Sequence, residues 1–223
     1  MSHPEQLAAE QQHQRDDDDQ QNNDENRAHT TVGEAHQNRE GQELGELLEL
    51  IPLGAGSEVG RSCIVASFFE GKKNVMFDCG IHPGFSGLSS LPYFDEIDVS
   101  AIDVLLVTHF HLDHCAAVPF LVNRTNFKGR VFMTHATKAI FHMLMSDFVR
   151  LSARQQPKAK GSEEKEEEED ESQLWDAKDL KAAMDKIEVI DFHQEINIDG
   201  IKVTPYRAGH VLGACQFEVN VGG

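Results

Sequence analysis

The segment from Thr108 to His114 concentrates side chains that bind metal ions. It reads Thr-His-Phe-His-Leu-Asp-His, so three histidines and Asp113 fall within six residues. In an extended chain, residues two apart point to the same side, which lets His109 and His111 reach one ion. Imidazole and carboxylate ligands without thiolates are typical of a catalytic zinc site. The segment therefore predicts bound Zn²⁺ rather than a loop of hydrogen-bonded polar residues.

Two further residues could complete this site. His210 is flanked by glycines in the segment Gly-His-Val-Leu-Gly-Ala, and glycine lets the backbone approach closely and aim the ring. Together with His109 and His111 it would supply three nitrogen ligands and leave a fourth position for water. Asp78 follows another predicted strand, and we expect its carboxylate to hold a ligand or a water by hydrogen bonds.

These residues need strands and helices that bring them together. The apolar run at residues 104–107 predicts a buried strand directly before His109. Short apolar runs between turn residues predict the other strands, and helical spacing predicts three helices. Strands mixed with helices indicate an α/β fold of sheet layers covered by helices. We predict strands at 48–53, 62–69, 74–77, 104–107, 131–133, 188–191, 201–206 and 215–221, and helices at 114–123, 136–154 and 177–186.

The longest predicted helix carries a stripe of large apolar residues at helical spacing. Its members recur every three or four positions, which predicts a face packed against the core. They are Ile140, Leu144, Phe148 and Leu151.

The acidic charge of the chain is concentrated in two segments. Residues 1–50 hold 13 acidic and 3 basic residues, and residues 157–172 hold 8 acidic residues and 3 lysines, out of a total net charge of −18. The two segments account for −10 and −5 of this charge and the remainder carries only −3, so the acidity does not argue against a nucleic-acid substrate. We predict a disordered tail at 1–47 and an acidic low-complexity loop at 157–172, a solvated spacer rather than a docking site for a basic partner.

The four cysteines and the apolar runs bear on compartment. The cysteines form no C-x-x-C pair, which predicts buried thiols in a reducing compartment rather than disulfides. No apolar run approaches the roughly 18 residues that span a bilayer, and the N-terminus lacks the pattern of a signal peptide. We therefore expect a soluble intracellular protein that has no membrane partner.

Six segments recur along the chain in a characteristic order, at residues 52–60, 61–63, 78–84, 109–115, 127–140 and 208–214. In sequence and order they resemble the metallo-β-lactamase superfamily, and within it the beta-CASP nucleases that cleave pre-mRNA before polyadenylation. The resemblance covers residues 48–223 outside the acidic loop and implies an αββα sandwich, truncated to its N-terminal part.

The resemblance implies a zinc-dependent endoribonuclease subunit of the nuclear pre-mRNA 3′-end processing machinery, with the other subunits of that complex as partners. It implies two Zn²⁺ in the complete family site, and the family's remaining ligands are expected beyond Gly223, so one three-histidine site is expected here. The implied zinc ligands are His109, His111 and His210 for one ion, and Asp113 with His114 for the other. The implied catalytic carboxylates are Asp78, as the supporting acid, and Asp113.

Two other interpretations remain open from the sequence. The chain could be a catalytically incomplete fragment, or a protein that binds RNA-processing partners without cutting. It could also be a small-molecule metallo-hydrolase of the same superfamily, such as a thioesterase. Cleavage of a small thioester or lactam, without cleavage of RNA, would favour the last interpretation.

Overall fold

The computed structural model of the protein describes residues 48–69, 72–155 and 174–222. The predicted tail at 1–47 and the predicted acidic loop at 157–172 lie outside the described residues and stay predictions. The eight predicted strands are confirmed, with ends that shift by no more than two residues. None of the described helices combines the length and apolar character needed to cross a bilayer.

The larger sheet has six strands in the order in which they occur along the chain. The first three are joined by short connections and pair antiparallel, whereas the last four pair in parallel. Parallel neighbours need a long crossover, and helical segments supply it here. The strands are β1 (Leu48–Gly54), β2 (Cys63–Phe68), β3 (Lys73–Phe77), β4 (Val104–Leu106), β5 (Arg130–Met133) and β6 (Ile187–Val189).

The smaller sheet is an antiparallel meander of β7 (Ile196–Ile198), β8 (Ile201–Arg207) and β9 (Cys215–Val221). Strand β7, which has three residues, was not predicted from the sequence. Asp199 and Gly200 form the turn between β7 and β8 with φ of 48° and 91°. An Asp-Gly pair between alternating apolar residues is the strongest short hairpin signal, and it was available in the sequence.

The helices are α1 (Leu112–Cys115), α2 (Val118–Arg124), α3 (His135–Gln155) and α4 (Ala177–Lys186). The predicted helix at 114–123 is therefore wrong as one element, because two helices occupy this region. Pro119 lies in the first turn of α2, where the missing N–H of proline is tolerated, and it favours a new helix start. The predicted α3 and α4 are confirmed.

Two apolar clusters divide the core. Leu105 packs with the helices on one side of the larger sheet, while Val104 and Leu106 pack with the smaller sheet on the other. This division follows from the alternation of side chains along a strand. The layers run helix, sheet, sheet, which are three layers of the predicted αββα sandwich. All four cysteines are free and buried, as predicted.

The inward face of α3 differs from the predicted stripe. Phe141 and Met145 are fully buried, whereas Leu151 is 57% exposed, so the prediction of core packing is wrong for Leu151. Leu144 and Phe148 are partly buried at the edge of the cluster. A helix of 21 residues is about 31 Å long, and strands of three or four residues span less than half of that. The last turns of α3 therefore extend past the sheet.

Candidate metal centre

The candidate metal centre lies at one edge of the larger sheet. Asp78 follows β3 and His109 follows β4, and the carboxyl ends of neighbouring parallel strands meet at the same edge. The β8–β9 connection carries His210 to this edge. The backbone N–H of Cys215 donates to the carbonyl of Thr108 at 3.0 Å, which ties that connection to the end of β4.

Three imidazole nitrogens converge at this edge. Nδ1 of His111 lies 3.1 Å from Nε2 of His109 and 3.1 Å from Nε2 of His210. The three ligand atoms all lie within 4.8 Å of one another. Zn–N bonds of about 2.0–2.1 Å at tetrahedral angles place two nitrogens roughly 3.3 Å apart. The described residues therefore fit one tetrahedral ion with three protein ligands, and the predicted convergence of two separate loops is confirmed.

His109 is held as a neutral ring. It is 8% exposed, and burial together with the neighbouring His114 lowers its pKa to about 4, against the opposing charge of Asp78. The ring centroids of His109 and His114 are 4.1 Å apart. A neutral imidazole keeps a lone pair available, which is the form that binds a metal.

Asp78 accepts hydrogen bonds that orient two of the histidines. Its carboxylate accepts from the backbone N–H of Thr108 at 2.7 Å, from the Thr108 hydroxyl at 3.0 Å and from Nδ1–H of His114 at 2.8 Å. The Thr108 hydroxyl also lies 2.9 Å from Nδ1 of His109, and it accepts there because its own proton goes to Asp78. Asp78 thus places the proton of His114 on Nδ1 directly, and that of His109 on Nδ1 through Thr108. In the neutral rings Nε2 then carries no proton and can bind a metal.

A second group of ligand atoms lies beside the first. Nε2 of His114 is 3.6 Å from a carboxylate oxygen of Asp113. Burial opposes protonation of His114, but its hydrogen bond to Asp78 and the charges of Asp78 and Asp113 outweigh that effect and raise its pKa. Asp113 is 37% exposed, so solvent reaches this position. Two ligands adjacent to the three-histidine group are consistent with a partly formed second metal position.

Backbone hydrogen bonds hold α1 against the segment after β3. The amides of Ser62 and Cys79 donate to the carbonyls of Asp113 and His114, both at 2.8 Å. Gly80 lies against the peptide bond between Asp113 and His114. A Cβ at this position would lie 2.5 Å from the His114 nitrogen and closer still to the Asp113 carbonyl. Glycine is required here for close approach of two backbones.

Two residues of the centre have left-handed backbone conformations. Asp78 has φ of 60° and His210 has φ of 71°, which are rare for residues other than glycine. Such conformations cluster at functional sites, where the surroundings over-determine them. His210 is exposed, and this open side contrasts with the buried His109. The centre therefore combines a buried, hydrogen-bonded back with a front that is exposed to solvent.

Two supporting residues, Thr108 and Gly80, were not predicted from the sequence. Thr108 opens the histidine-rich motif, and a hydroxyl directly before a candidate metal-binding histidine is a signal that could have indicated its role. Gly80 follows Asp78 and Cys79, and its importance depends on the approach of α1, which no local pattern shows. The structure places every predicted site residue in this centre: Asp78, His109, His111, Asp113, His114 and His210.

Comparison with known proteins identifies close relatives of this chain. It is 55% identical over 179 residues to cleavage and polyadenylation specificity factor subunit 3-I of Arabidopsis thaliana, covering 80% of this chain and 24% of the relative. It is 53% identical over 178 residues to endoribonuclease ysh1 of Schizosaccharomyces pombe, covering 80% and 21%. The chain thus spans about a quarter of the length of these relatives.

The fold comparisons give a broader result. A solved B3 metallo-beta-lactamase with an active-site glutamic acid superposes with a TM-score of 0.44 at 16% identity, over 79% of this chain and 55% of the lactamase. Residues 69–222, which are more than half of the chain, match the metallo-beta-lactamase superfamily domain. This match confirms the family that the sequence motifs indicated. The chain belongs to the metallo-beta-lactamase superfamily.

Proposed function

We propose that this chain is the zinc-binding part of an endoribonuclease that cleaves pre-mRNA before polyadenylation. The observation that carries the proposal is the convergence of three imidazole nitrogens, with 3.1 Å between neighbouring pairs, at the open edge of the sheet. The relatives support the substrate class, because one is named an endoribonuclease and another a subunit of a cleavage and polyadenylation factor. We infer a nuclear protein whose partners are the other subunits of such a complex.

The ligands divide into two groups in this proposal. His109, His111 and His210 would hold one Zn²⁺, since three neutral nitrogens with an open position suit a catalytic zinc. Asp113 and His114 would contribute to a second ion. Zinc bound at these positions would supply Lewis-acid chemistry, lowering the pKa of water and neutralising charge on a phosphodiester.

The protein side chains orient and hold protons around these ligands. Asp78 keeps a proton on Nδ1 of His114, and Thr108 keeps one on Nδ1 of His109, so both rings present Nε2 to the open edge. Asp113 lies at the exposed rim, where its carboxylate can approach substrate and solvent. We propose Asp113 as the catalytic carboxylate of this rim and Asp78 as the acid that supports the ligands.

Zinc content tests the division of ligands. His109→Ala should remove zinc from the three-histidine site, whereas Asp113→Ala should leave that site loaded. His142→Ala, which changes an exposed histidine on α3, is the matched control and should bind zinc as the wild type does. The measurement is zinc per chain by elemental analysis after gel filtration. Equal zinc loss in the His109 and Asp113 variants would contradict the division.

RNA cleavage tests the substrate class. Residues 48–222 can replace the matching segment of the Schizosaccharomyces pombe endoribonuclease, to which they are 53% identical. We expect the chimera to cleave a pre-mRNA 3′-end substrate in its native complex, and a chimera that also carries His111→Ala to lose cleavage. A folded, zinc-loaded chimera without cleavage would contradict the proposal. Hydrolysis of a thioester or lactam by the purified chain, without RNA cleavage, would instead support a small-molecule hydrolase.

A further inference from the structure

Two buried threonines hold the loop that carries His210. Thr134 directly follows β5 and Thr137 lies in the first turn of α3, and they are 3% and 0% exposed. Oγ1 of Thr134 donates to the carbonyl oxygen of Gly213 at 2.7 Å, and Oγ1 of Thr137 lies 3.2 Å from the same oxygen. One carbonyl oxygen of the His210 loop is therefore in contact with two buried hydroxyls, which also lie 2.9 Å from each other.

Gly213 is shaped for this contact. It has φ of 83°, and an added Cβ would lie 2.8 Å from Cβ of Ala136 and 2.9 Å from both Oγ1 of Thr134 and the backbone nitrogen of Thr137. Real Cβ atoms essentially never come within 3.0 Å of such atoms. The loop thus docks on the start of α3 as closely as the two backbones allow.

The tip of the same loop is exposed, and its described side-chain contacts are those of His210 with the other histidines. His210 is exposed, and a Cβ built on Gly209 would meet nothing within 4 Å. The loop is closed on itself, because Ala208 N–H donates to the Ala214 carbonyl at 3.2 Å and Ala214 N–H donates to the Val211 carbonyl at 3.1 Å. A displacement at the buried foot would therefore carry the exposed histidine with it.

We propose that Thr134 and Thr137 are positioning residues for His210. β5 is the parallel neighbour of β4, so Thr134 stands at the same sheet edge that presents His109. The hydroxyl grip on Gly213 fixes how far the His210 loop stands from that edge and places the third nitrogen ligand. This inference rests on the proposed zinc site, and it assigns a role to residues that do not touch the ion.

Zinc affinity of the purified 223-residue chain tests this role. Thr134→Val and Thr137→Val keep the shape of the side chain and remove the hydroxyl. We expect each to weaken zinc binding by roughly tenfold or more, the size of effect seen when supports of metal ligands are lost. The visible spectrum of the Co²⁺-substituted variants should move toward that of His210→Ala, since coordination geometry determines it. Thr134→Ser retains the hydroxyl and should keep wild-type affinity.

A matched control separates positioning from loss of a helix cap. Oγ1 of Thr134 also accepts from the backbone N–H of Thr137 at 3.3 Å, so Thr134→Val removes a cap from α3. Asp176 caps α4 by accepting from the amides of Lys178 and Asp179. Asp176→Ala therefore loses a comparable cap on another helix, and it should lower the Tm while leaving zinc affinity unchanged.

The outcomes distinguish this inference from the proposed zinc site. Wild-type affinity and a wild-type Co²⁺ spectrum in both valine variants, with weakened binding in His210→Ala, would overturn the positioning role alone. Wild-type binding in His210→Ala would overturn the three-histidine site and this inference with it. The positioning role is supported if both valine variants bind zinc more weakly while Thr134→Ser and Asp176→Ala keep wild-type affinity.

Discussion

Substitution of Gly80 by alanine tests how closely the metal centre depends on backbone packing. The added Cβ would lie 2.5 Å from the backbone nitrogen of His114, and 3.0 Å is the shortest distance that a real Cβ makes. The peptide between Asp113 and His114 would have to move by more than the difference of 0.5 Å, because the Asp113 carbonyl is closer still. This peptide connects two proposed metal ligands.

The expected loss of stability follows from two contributions. Overpacking in a close contact costs about 1–3 kcal/mol. The amides of Ser62 and Cys79 donate to the carbonyl oxygens of Asp113 and His114, each at 2.8 Å. Each of these hydrogen bonds that is lost costs about 0.5–1.5 kcal/mol. With one bond lost, the free energy of unfolding falls by roughly 2–4 kcal/mol, which lowers the Tm of a domain of this size by roughly 5–15 °C.

Calorimetry measures this effect. Gly80→Ala should lower the Tm by the amount given above. Gly56→Ala is the matched control, because its Cβ would lie 3.3 Å from Cβ of Pro52, a contact that a small shift relieves. A Gly80→Ala protein with the Tm of the wild type would refute the argument from close packing.

Three further predictions concern the core and the protonation of the histidines. Phe141→Ala should lower the free energy of unfolding by about 3–5 kcal/mol in urea titrations, whereas Leu151→Ala should change it by about 0.5 kcal/mol or less. Asp78→Asn should lower the pKa of His114 in NMR titrations of the metal-free protein, since the carboxylate charge is lost and the amide oxygen of Asn accepts only a weaker, uncharged hydrogen bond; an unchanged pKa would contradict this. Because the pKa of His109 is depressed to about 4, its contribution to metal-free stability is present above pH 6.5 and lost as pH falls from 6.5 toward 4. His109→Gln should remove this acid sensitivity in urea titrations at successive pH values, and equal sensitivity in both proteins would count against the assignment.

The ligand set could be predicted from the sequence because its chemistry is local. His109 and His111 are two residues apart after an apolar run, and both the strand and the pairing of their nitrogens follow from that pattern. His210 could be joined to them through its glycine neighbours and the family resemblance. The distances that make them one site come from the docking of the β8–β9 connection at the end of β4, which periodicity does not encode.

Features that depend on contacts between distant segments could not be predicted. The apolar pattern of α3 admits two adjacent stripes, and the short strands beneath it decide that Phe141 and Met145 face inward while Leu151 does not. The break between α1 and α2 differs, because Pro119 in the first turn of α2 is a local signal for a new helix start. Helical periodicity identified the type of element in both cases, whereas the buried face of α3 was determined by the surrounding structure.

The left-handed backbone conformations at the metal centre depend both on the motif and on contacts from outside it. Asp78 and His210 both have positive φ, which costs of order 1–3 kcal/mol for each residue unless surrounding contacts offset it. Three donors engage the Asp78 carboxylate, and the Thr134–Gly213 contact anchors the loop of His210. The motif therefore specifies which atoms could bind the ion, whereas residues outside it hold those atoms in conformations that their own backbones disfavour. A chain with the same histidines but without these supports should bind zinc more weakly.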